Sequence, residues 1–182
     1  MKVIAWVGYP ASGKSLASDV ARSMGIPVIV MGDIVREEVR RRGLEPNDAN
    51  TGAVADDLRK EEGMDAIAKR SIPRIMEKGN IVVVDGVRGI AEVNRFKETF
   101  KDDFILVGIL SPFDTRFRRM QGRGRGDDHL TEDEFRQRDE REERWGLREA
   151  IAASDIMIRN DGDPETFTER IREILEEAIS SG

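Results

Sequence analysis

The stretch from Gly8 to Ser15 reads GYPASGKS, with a lysine and a serine directly after the second of two spaced glycines. Glycines adopt backbone conformations that a Cβ forbids, so peptide N–H groups in such a segment can turn inward around an anion. Lys14 can reach terminal phosphate oxygens as a mobile charge, and the Ser15 hydroxyl can ligate a Mg²⁺ that bridges them. The pattern G-x-x-x-x-G-K-S therefore predicts a nucleotide-binding site.

The elements around this loop are the ones that such a site requires. The apolar run VIAWV precedes it and the helical sequence LASDVARSMG follows it, so the positive end of a helix points at the bound phosphates. A helix-capping turn that happens to contain Gly, Lys and Ser is the alternative, but it leaves the full spacing unexplained. We assign the whole loop and the start of the helix to nucleotide binding: Gly8, Tyr9, Pro10, Ala11, Ser12, Gly13, Lys14, Ser15 and Leu16.

Length, charge and composition exclude several classes of protein. A chain of 182 residues suits one domain over 1–182, and a net charge of −6 argues against a protein that coats nucleic acid or binds an anionic membrane. The absence of cysteine excludes disulfides, thiolate metal sites and a cysteine nucleophile. Because Gly8 interrupts the first apolar run early, that run is neither a signal sequence nor a membrane span. We expect a cytoplasmic monomer or homodimer.

Short runs rich in valine and isoleucine predict the sheet. They are nearly continuously apolar, which is typical of parallel strands covered by helices on both faces. The predicted strands are 3–7, 26–31, 81–85, 104–110 and 155–158, and the predicted helices are 14–24, 33–42, 64–78, 89–100, 131–153 and 164–180. This alternation predicts an α/β sandwich with right-handed crossovers.

Two segments interrupt this alternation. Residues 43–63 are polar and lengthen the connection between the second and third strands, which predicts an inserted lobe. Residues 116–128 combine clustered arginines with three glycines, so they are not expected to form a good helix throughout, and we expect a mobile flap there.

Polar residues follow the predicted strands at their carboxyl ends, where ligands of parallel sheets bind. Asp85 ends IVVVD and is assigned to Mg²⁺; the alternative is an ordinary turn. Asp33 and Arg36 lie one helical turn apart after the second strand, so both can face one cleft. The planar guanidinium groups of Arg36 and Arg88 suit the phosphate of an acceptor. Alternatively, either arginine pairs only with surface glutamates such as Glu37 or Glu38.

The arginine-rich segment is the second strongest feature. Cations that close over a transferred phosphoryl group stabilise its charge and exclude water, so we assign Arg123 and Arg125 to that role and Arg119 to the donor nucleotide. The alternative is a basic surface loop balanced by nearby acidic residues. His129 is not assigned as a base, because the oxygen of a phosphate acceptor is already ionised. Trp6 and Trp145 are interpreted as packing residues.

These motifs together resemble the adenylate-kinase branch of the P-loop nucleotide kinases, and more narrowly an archaeal group described as dephospho-coenzyme A kinase-like. Besides GYPASGKS, the resemblance involves MGDIVREEV, VVVDGVRG, RGDD at 125–128 and DGDP at 161–164. It implies a three-layer P-loop NTPase sandwich with a five-stranded parallel sheet, as in nucleoside-monophosphate kinases. It also implies an acceptor-binding insertion over about 33–70 and an arginine-rich lid over about 116–138.

The resemblance implies further residue roles. Arg138 falls where a lid arginine is expected, and Asp161 and Gly162 lie in the loop that touches the donor adenine. Glu92 stands where adenylate kinases have a glutamine that reads the acceptor adenine, so AMP specificity does not carry over. Arg88 is one residue closer to the strand-end aspartate than in a standard adenylate kinase, and Met31 replaces the usual threonine.

The sequence therefore predicts an ATP-dependent, Mg²⁺-requiring phosphotransferase whose acceptor is a small phosphorylated molecule such as a nucleotide. A regulatory ATPase that acts with nucleic acid or a protein is the first alternative, and an inactive nucleotide-binding module is the second.

Replacing the loop lysine tests this hypothesis. We expect Lys14→Ala to abolish phosphoryl transfer while the fold survives, because the charge on the transferred group loses a stabilising cation. Product formation and circular dichroism measure the two effects, and unchanged transfer by the variant would contradict the hypothesis.

Overall fold

The computed structural model describes residues 1–122 and 130–180. Within that part, a five-stranded parallel sheet has the order β2-β3-β1-β4-β5. The strands are β1 (Lys2–Val7), β2 (Val28–Val30), β3 (Ile81–Val87), β4 (Phe104–Leu110) and β5 (Ile156–Arg159). This arrangement confirms the predicted α/β class and its parallel sheet.

Helices cover both faces of the sheet and form the outer layers. One face packs Ile4 and Trp6 of the central strand against the first and last helices, and the other packs Val3 and Ala5 against the remaining core. Alternation along β1 divides these side chains between the two faces. The helices are α1 (Lys14–Ser23), α2 (Met31–Arg41), α3 (Asp48–Glu62), α4 (Ala66–Met76), α5 (Ile90–Phe100), α6 (Phe113–Gln121), α7 (Glu132–Arg144), α8 (Leu147–Ala152) and α9 (Pro164–Ser180).

The register of the central strands brings the predicted site residues to one edge. Trp6 in β1 pairs with Asp85 in β3 and with Val107 in β4. All these strands are parallel, so the loop after Val7 and the segment after Asp85 leave the sheet side by side. Over the residues that the structure describes, no helix has the length and apolar character needed to span a membrane.

The polar segment 43–63 is mostly helical. The side chain of Asn47 accepts a hydrogen bond from the backbone N–H of Asn50 and begins α3. Only one side of α3 is apolar, with Val54, Ala55 and Leu58 buried. Because most other positions are polar or charged, the sequence shows no clear helical spacing of apolar residues there.

Two expectations from the sequence are wrong: that a flap begins at residue 116, and that residues 131–153 form one helix. Residues 116–121 are not a flap but the end of α6, since the first glycine comes only at Gly122. The predicted helix 131–153 is broken after Trp145, because Gly146 has a φ of +90° and begins a separate helix. This break lets the Trp145 carbonyl approach Gly89, where a Cβ would lie only 2.2 Å from the carbonyl oxygen.

A buried carboxylate links α2 to the helices α3 and α4, which are called the polar lobe (residues 43–76) from here on. Glu38 of α2 is 5% exposed and lies 2.6 Å from Arg41 and 3.0 Å from Arg42, while Arg70 of α4 approaches to 3.4 Å. Arg42 also contacts Asp57 of α3 at 2.8 Å. Hydrogen bonds from Arg41 and Arg42 lower the pKa of Glu38 from 4.5 to about 2.

The stability that Glu38 supplies should depend on pH. Its pKa is lower in the folded than in the unfolded chain, so its contribution is complete above about pH 4.5 and is lost as the pH falls towards 2. We expect Glu38→Gln to reduce the free energy of unfolding by about 2 kcal/mol at pH 7 and by clearly less at pH 3. Urea unfolding measures this difference. Glu61→Gln, an exposed carboxylate in the same lobe, is the control, and a pH-independent loss in Glu38→Gln would contradict the assignment.

Candidate active site

The phosphate loop connects β1 to α1 through two positions that require glycine. A Cβ on Gly8 would lie 2.4 Å from the carbonyl oxygen of Ile109 in β4. Gly13 has a φ of +119°, and a Cβ there would lie 2.2 Å from Nδ2 of Asn160. Gly8 is therefore required by a close neighbour alone, whereas Gly13 is required by a close neighbour and by its backbone conformation.

Lys14 is buried against the loop that it follows. Its Nζ donates hydrogen bonds to the carbonyl oxygens of Gly8 at 2.5 Å and Tyr9 at 2.9 Å. Burial lowers the pKa of Lys14 to about 7, and the positive charge of Arg88 acts in the same direction, whereas Asp85 opposes both. An anion beside this ammonium group would stabilise its protonated form.

The residues assigned to Mg²⁺ share one cavity. Ser15 and Asp85 both line a cavity of about 110 Å³ beside the loop, and Ser18 donates to Asp85 Oδ2 at 3.0 Å. Over residues 1–122 and 130–180, no group of three His, Cys, Asp or Glu side chains is arranged to hold a metal. Two oxygen ligands suit a Mg²⁺ that takes its other ligands from phosphates and water. Sequence reasoning missed Ser18, which lies one helical turn beyond Ser15.

Arg88 and Arg138 approach the same space from β3 and α7. Arg88 forms an ion pair with the buried Glu142, and burial, followed by repulsion from Arg138, lowers the pKa of Arg88 to about 9. Arg138 Nε lies 3.4 Å from Asp48 and 3.7 Å from Glu142. Glu142 went unnoticed in the sequence because it stands in a run of charged residues that is typical of an exposed helix.

Arg36 and Asp33 face the cleft as predicted. They pair with each other at 2.6 Å, and a Cβ on Gly32 would lie 3.0 Å from the guanidinium group of Arg36. Glu37 and Glu38 contact Arg74 and Arg41 instead, so the acidic partner of Arg36 is Asp33 and not either of these glutamates.

A larger cavity of about 440 Å³ adjoins the phosphate-loop cavity. Both cavities are lined by Ser15, Val30, Gly32, Arg36, Asp85, Gly86, Arg88 and Arg138. Lys14 lines the smaller one, whereas Asp33, Glu92 and Glu142 line the larger one. The two cavities therefore meet at Arg36, Arg88 and Arg138, which line both.

The far wall of the larger cavity is built from α3, α5 and the end of α7. Arg59 contacts Glu92 at 2.8 Å and stands 4.0 Å above the ring of Trp145. Glu92 also accepts a hydrogen bond from the backbone N–H of Arg88 at 2.8 Å, so both its oxygens are engaged. Trp145 packs in the core as predicted and also lines the cavity, which sequence reasoning missed.

Three of the residues assigned to the donor nucleotide line neither cavity: Asp161, Gly162 and Arg119. Asp161 is exposed and pairs with Arg159 at 2.7 Å, and Gly162 lies in the same exposed turn. The neighbouring Asn160 is the residue that meets the phosphate loop, because its Nδ2 donates to the carbonyl oxygen of Ser12 at 2.8 Å. Arg119 contacts Asn160 Oδ1 at 3.3 Å and so is linked to the loop through Asn160.

Other predicted residues hold the loop in place or lie outside the described chain. Arg116 is buried, pairs with Asp139 at 2.6 Å and donates to the carbonyl oxygen of Pro10 at 3.1 Å, so it supports the loop and is not part of a flap. The Tyr9 hydroxyl donates to Glu143 at 2.5 Å. Leu16 is 36% exposed and lines neither cavity. Arg123, Arg125 and His129 lie outside the described residues.

Gly13 offers a sharp test of the loop geometry. We expect Gly13→Ala to lower ATP affinity by about tenfold or more, because the new Cβ meets both a strained φ and Asn160. Gly25→Ala is the matched control, since Gly25 also has a positive φ of +76° but nothing lies within 4 Å of its Cβ position. Calorimetric titration with ATP measures both variants, and equal losses of affinity would contradict the assignment.

Comparisons with known proteins agree with this architecture. A family profile described as an AAA domain matches residues 7–136. A solved shikimate kinase from Aquifex aeolicus covers 99% of both chains with a TM-score of 0.57 and 21% identity. The Thermus thermophilus protein TT1252 covers 97% of both chains with a TM-score of 0.63 and 18% identity. At these identities the structural likeness shows the fold alone.

Curated relatives are much more similar. A UPF0200 protein of Methanosarcina acetivorans is 56% identical over 182 residues, which are 100% of this chain and 97% of the relative. A UPF0200/UPF0201 protein of Archaeoglobus fulgidus is 57% identical over 178 residues, and this chain spans 55% of its length. The resemblance to P-loop kinases that the motifs indicated is confirmed, and the chain belongs to the UPF0200 family, with a P-loop kinase fold.

Proposed function

We propose that this protein is an ATP-dependent, Mg²⁺-requiring phosphotransferase that passes the γ-phosphoryl group to a small phosphorylated acceptor. Nucleoside monophosphates and molecules like dephospho-coenzyme A are the candidate acceptors. The observation that carries the proposal is the junction of the two cavities, because Arg36, Arg88 and Arg138 line both. A site for nucleotide hydrolysis alone has no need of a second arginine-lined cavity.

The donor would bind with its phosphates against the loop. Backbone N–H groups and Lys14 would contact the terminal phosphates, while Ser15 and Asp85 would hold Mg²⁺. When bound, Mg²⁺ neutralises phosphate charge and orients the γ-phosphoryl group. Asn160, Arg116 and Lys14 all bond to carbonyl oxygens of the loop, so its conformation is set by the protein before a ligand binds.

Transfer forms a bond between an acceptor oxygen and the γ-phosphorus and breaks the bond to the bridging oxygen of ADP. When the acceptor atom is a phosphate oxygen, as in a nucleoside monophosphate, it is already ionised, so positioning and charge stabilisation are the main requirements. An acceptor hydroxyl, as in a molecule like dephospho-coenzyme A, would also have to give up its proton to a base. Arg88 and Arg138 lie at the junction of the cavities, where this charge develops. The roles of Arg123 and Arg125 in closing over the phosphoryl group stay predictions.

A regulatory ATPase that acts with nucleic acid or a protein partner is the alternative. The AAA description of the matching family profile favours it. Such a protein would hydrolyse ATP slowly without a small acceptor and faster with its macromolecular partner.

A donor-consumption screen distinguishes the two functions. The protein is incubated with Mg-ATP and each of a panel of nucleoside monophosphates and dephospho-coenzyme A, with an acceptor-free reaction beside it. The proposal expects ADP to form only with an acceptor, together with the matching phosphorylated product. Equal ADP formation with and without every acceptor would favour the ATPase.

The acceptor side has its own test in Arg36. We expect Arg36→Met to raise the KM of the acceptor about 10- to 100-fold, because a charged hydrogen bond to its phosphate is lost. The KM of ATP should change much less. Arg40→Met is the matched control, since Arg40 is exposed on the same helix and lines neither cavity. Equal effects of Arg36→Met on the KM values of donor and acceptor would contradict its assignment to the acceptor.

A further inference from the structure

Carboxylates that line the larger cavity partner all three arginines at the junction of the two cavities. The pairs are Arg36 with Asp33, Arg88 with Glu142 and Arg138 with Asp48. The three carboxylates are not among the residues that line the smaller cavity. Because a carboxylate reduces the positive potential around a guanidinium group, these pairs weaken the attraction of the junction for phosphates.

Asp48 differs from the other two carboxylates because it belongs to the polar lobe. Asp33 pairs within α2, three residues before Arg36, and Glu142 is 1% exposed and lies on α7 itself. Asp48 begins α3 and reaches across to α7. A carboxylate in the first turn of a helix is favourable in itself, but that preference does not bring its oxygens to an arginine of another helix.

Helix α3 approaches α7 closely enough for this contact because Gly52 lacks a side chain. Gly52 lies one helical turn after Asp48, and a Cβ there would lie 2.7 Å from Cζ of Arg141. Arg141 donates from one nitrogen to both oxygens of Asp48, at 3.0 and 3.1 Å. Glycine is unfavourable inside a helix, so its presence at this point is explained by the approach of the two helices.

The two contacts of Asp48 differ in length and in position. Asp48 lies 3.0 Å from Arg141 but 3.4 Å from Arg138. Arg138 lines both cavities, whereas Arg141 lines only the larger one. Asp48 can therefore leave Arg138 and stay paired with Arg141, so its own charge is not left uncompensated. A phosphate at the junction would thus compete with Asp48 for Arg138.

We propose that Asp48 restrains phosphoryl transfer until the phosphate of an acceptor displaces it from Arg138. The inference rests on the proposed function and names the regulation of its site. Without an acceptor, Asp48 offsets the positive charge of Arg138, so transfer of the γ-phosphoryl group to water lacks this stabilisation and stays slow. An acceptor phosphate takes the place of Asp48 beside Arg138, and the full charge of Arg138 then acts on the transferred group.

Removing the charge of Asp48 tests the inference. We expect Asp48→Asn, and equally Asp48→Ser, to raise acceptor-free ADP formation from Mg-ATP about tenfold or more, because Arg138 regains its charge at the junction. In this reaction a water oxygen bonds to the γ-phosphorus, the bond to the bridging oxygen of ADP breaks, and the water proton passes to solvent. Asp48→Glu keeps the charge and should stay close to the wild-type rate. Unchanged or slower hydrolysis in the uncharged variants would overturn the inference, since a carboxylate that only positions Arg138 predicts a loss.

Asp56→Ala separates the charge of Asp48 from the docking of the polar lobe. Asp56 lies two helical turns after Asp48, accepts a hydrogen bond from the indole N–H of Trp145 at 2.6 Å and lines neither cavity. Its loss weakens the contact between α3 and the end of α7 but leaves the pair of Asp48 and Arg138 in place. We expect acceptor-free hydrolysis close to the wild-type rate, and a rise equal to that of Asp48→Asn would overturn the inference.

The panel of acceptors separates this inference from the proposed function. With a nucleoside monophosphate that the wild-type protein phosphorylates, Asp48→Asn should lower the KM of the acceptor about tenfold, because its phosphate no longer competes with a carboxylate. Transfer by the wild-type protein, with an unchanged acceptor KM and unchanged hydrolysis in Asp48→Asn, would overturn the inference and leave the kinase intact. Faster hydrolysis by Asp48→Asn, with no transfer to any acceptor by either protein, would sustain the restraint by Asp48 and contradict the kinase.

Discussion

The burial of several cations at the edge of one sheet is the constraint on which the site depends. Burial lowers the pKa of both Lys14 and Arg88, the positive charge of Arg88 lowers the pKa of Lys14 further, and Arg138 acts on both in the same direction. Asp85, Glu142 and Asp48, which Arg138 shares with Arg141, supply part of the balancing charge. Burying like charges together costs free energy unless counterions complete the arrangement. Two phosphorylated ligands bound beside these side chains would provide such counterions. The buried cations that destabilise the fold would therefore also favour phosphorylated ligands.

Helix α7 connects the parts of the site that must act together. Glu143 bonds to Tyr9 of the phosphate loop, and Arg141 contacts Asp48 of the polar lobe at 3.0 Å. Between them, Glu142 holds Arg88. A displacement of α7 would therefore change the phosphate loop, the junction of the cavities and the polar lobe at once, so this helix links the two cavities.

The features that were predicted correctly from the sequence are those that a short stretch of residues determines. Apolar runs gave the parallel sheet, and the spacing of Gly8, Gly13 and Lys14 identified the loop. Sequence reasoning missed Glu142, because a single glutamate in a highly charged helix does not stand out until the fold brings it to Arg88. It missed the role of Asn160, because an asparagine in a turn is ordinary until the fold brings it to the phosphate loop. It misassigned Arg116, since burial by α6 and α7 is a tertiary effect that a cluster of arginines does not disclose.

The central claim is that donor and acceptor phosphates occupy one continuous site. It is tested most directly by titrating the protein with an adenosine joined through a polyphosphate chain to a second nucleoside. We expect one molecule to bind per protein, to compete with both ATP and the acceptor, and to bind more tightly than either, because joining adjacent ligands avoids a second loss of translational freedom. Binding of two molecules per protein, or competition with ATP alone, would contradict the claim.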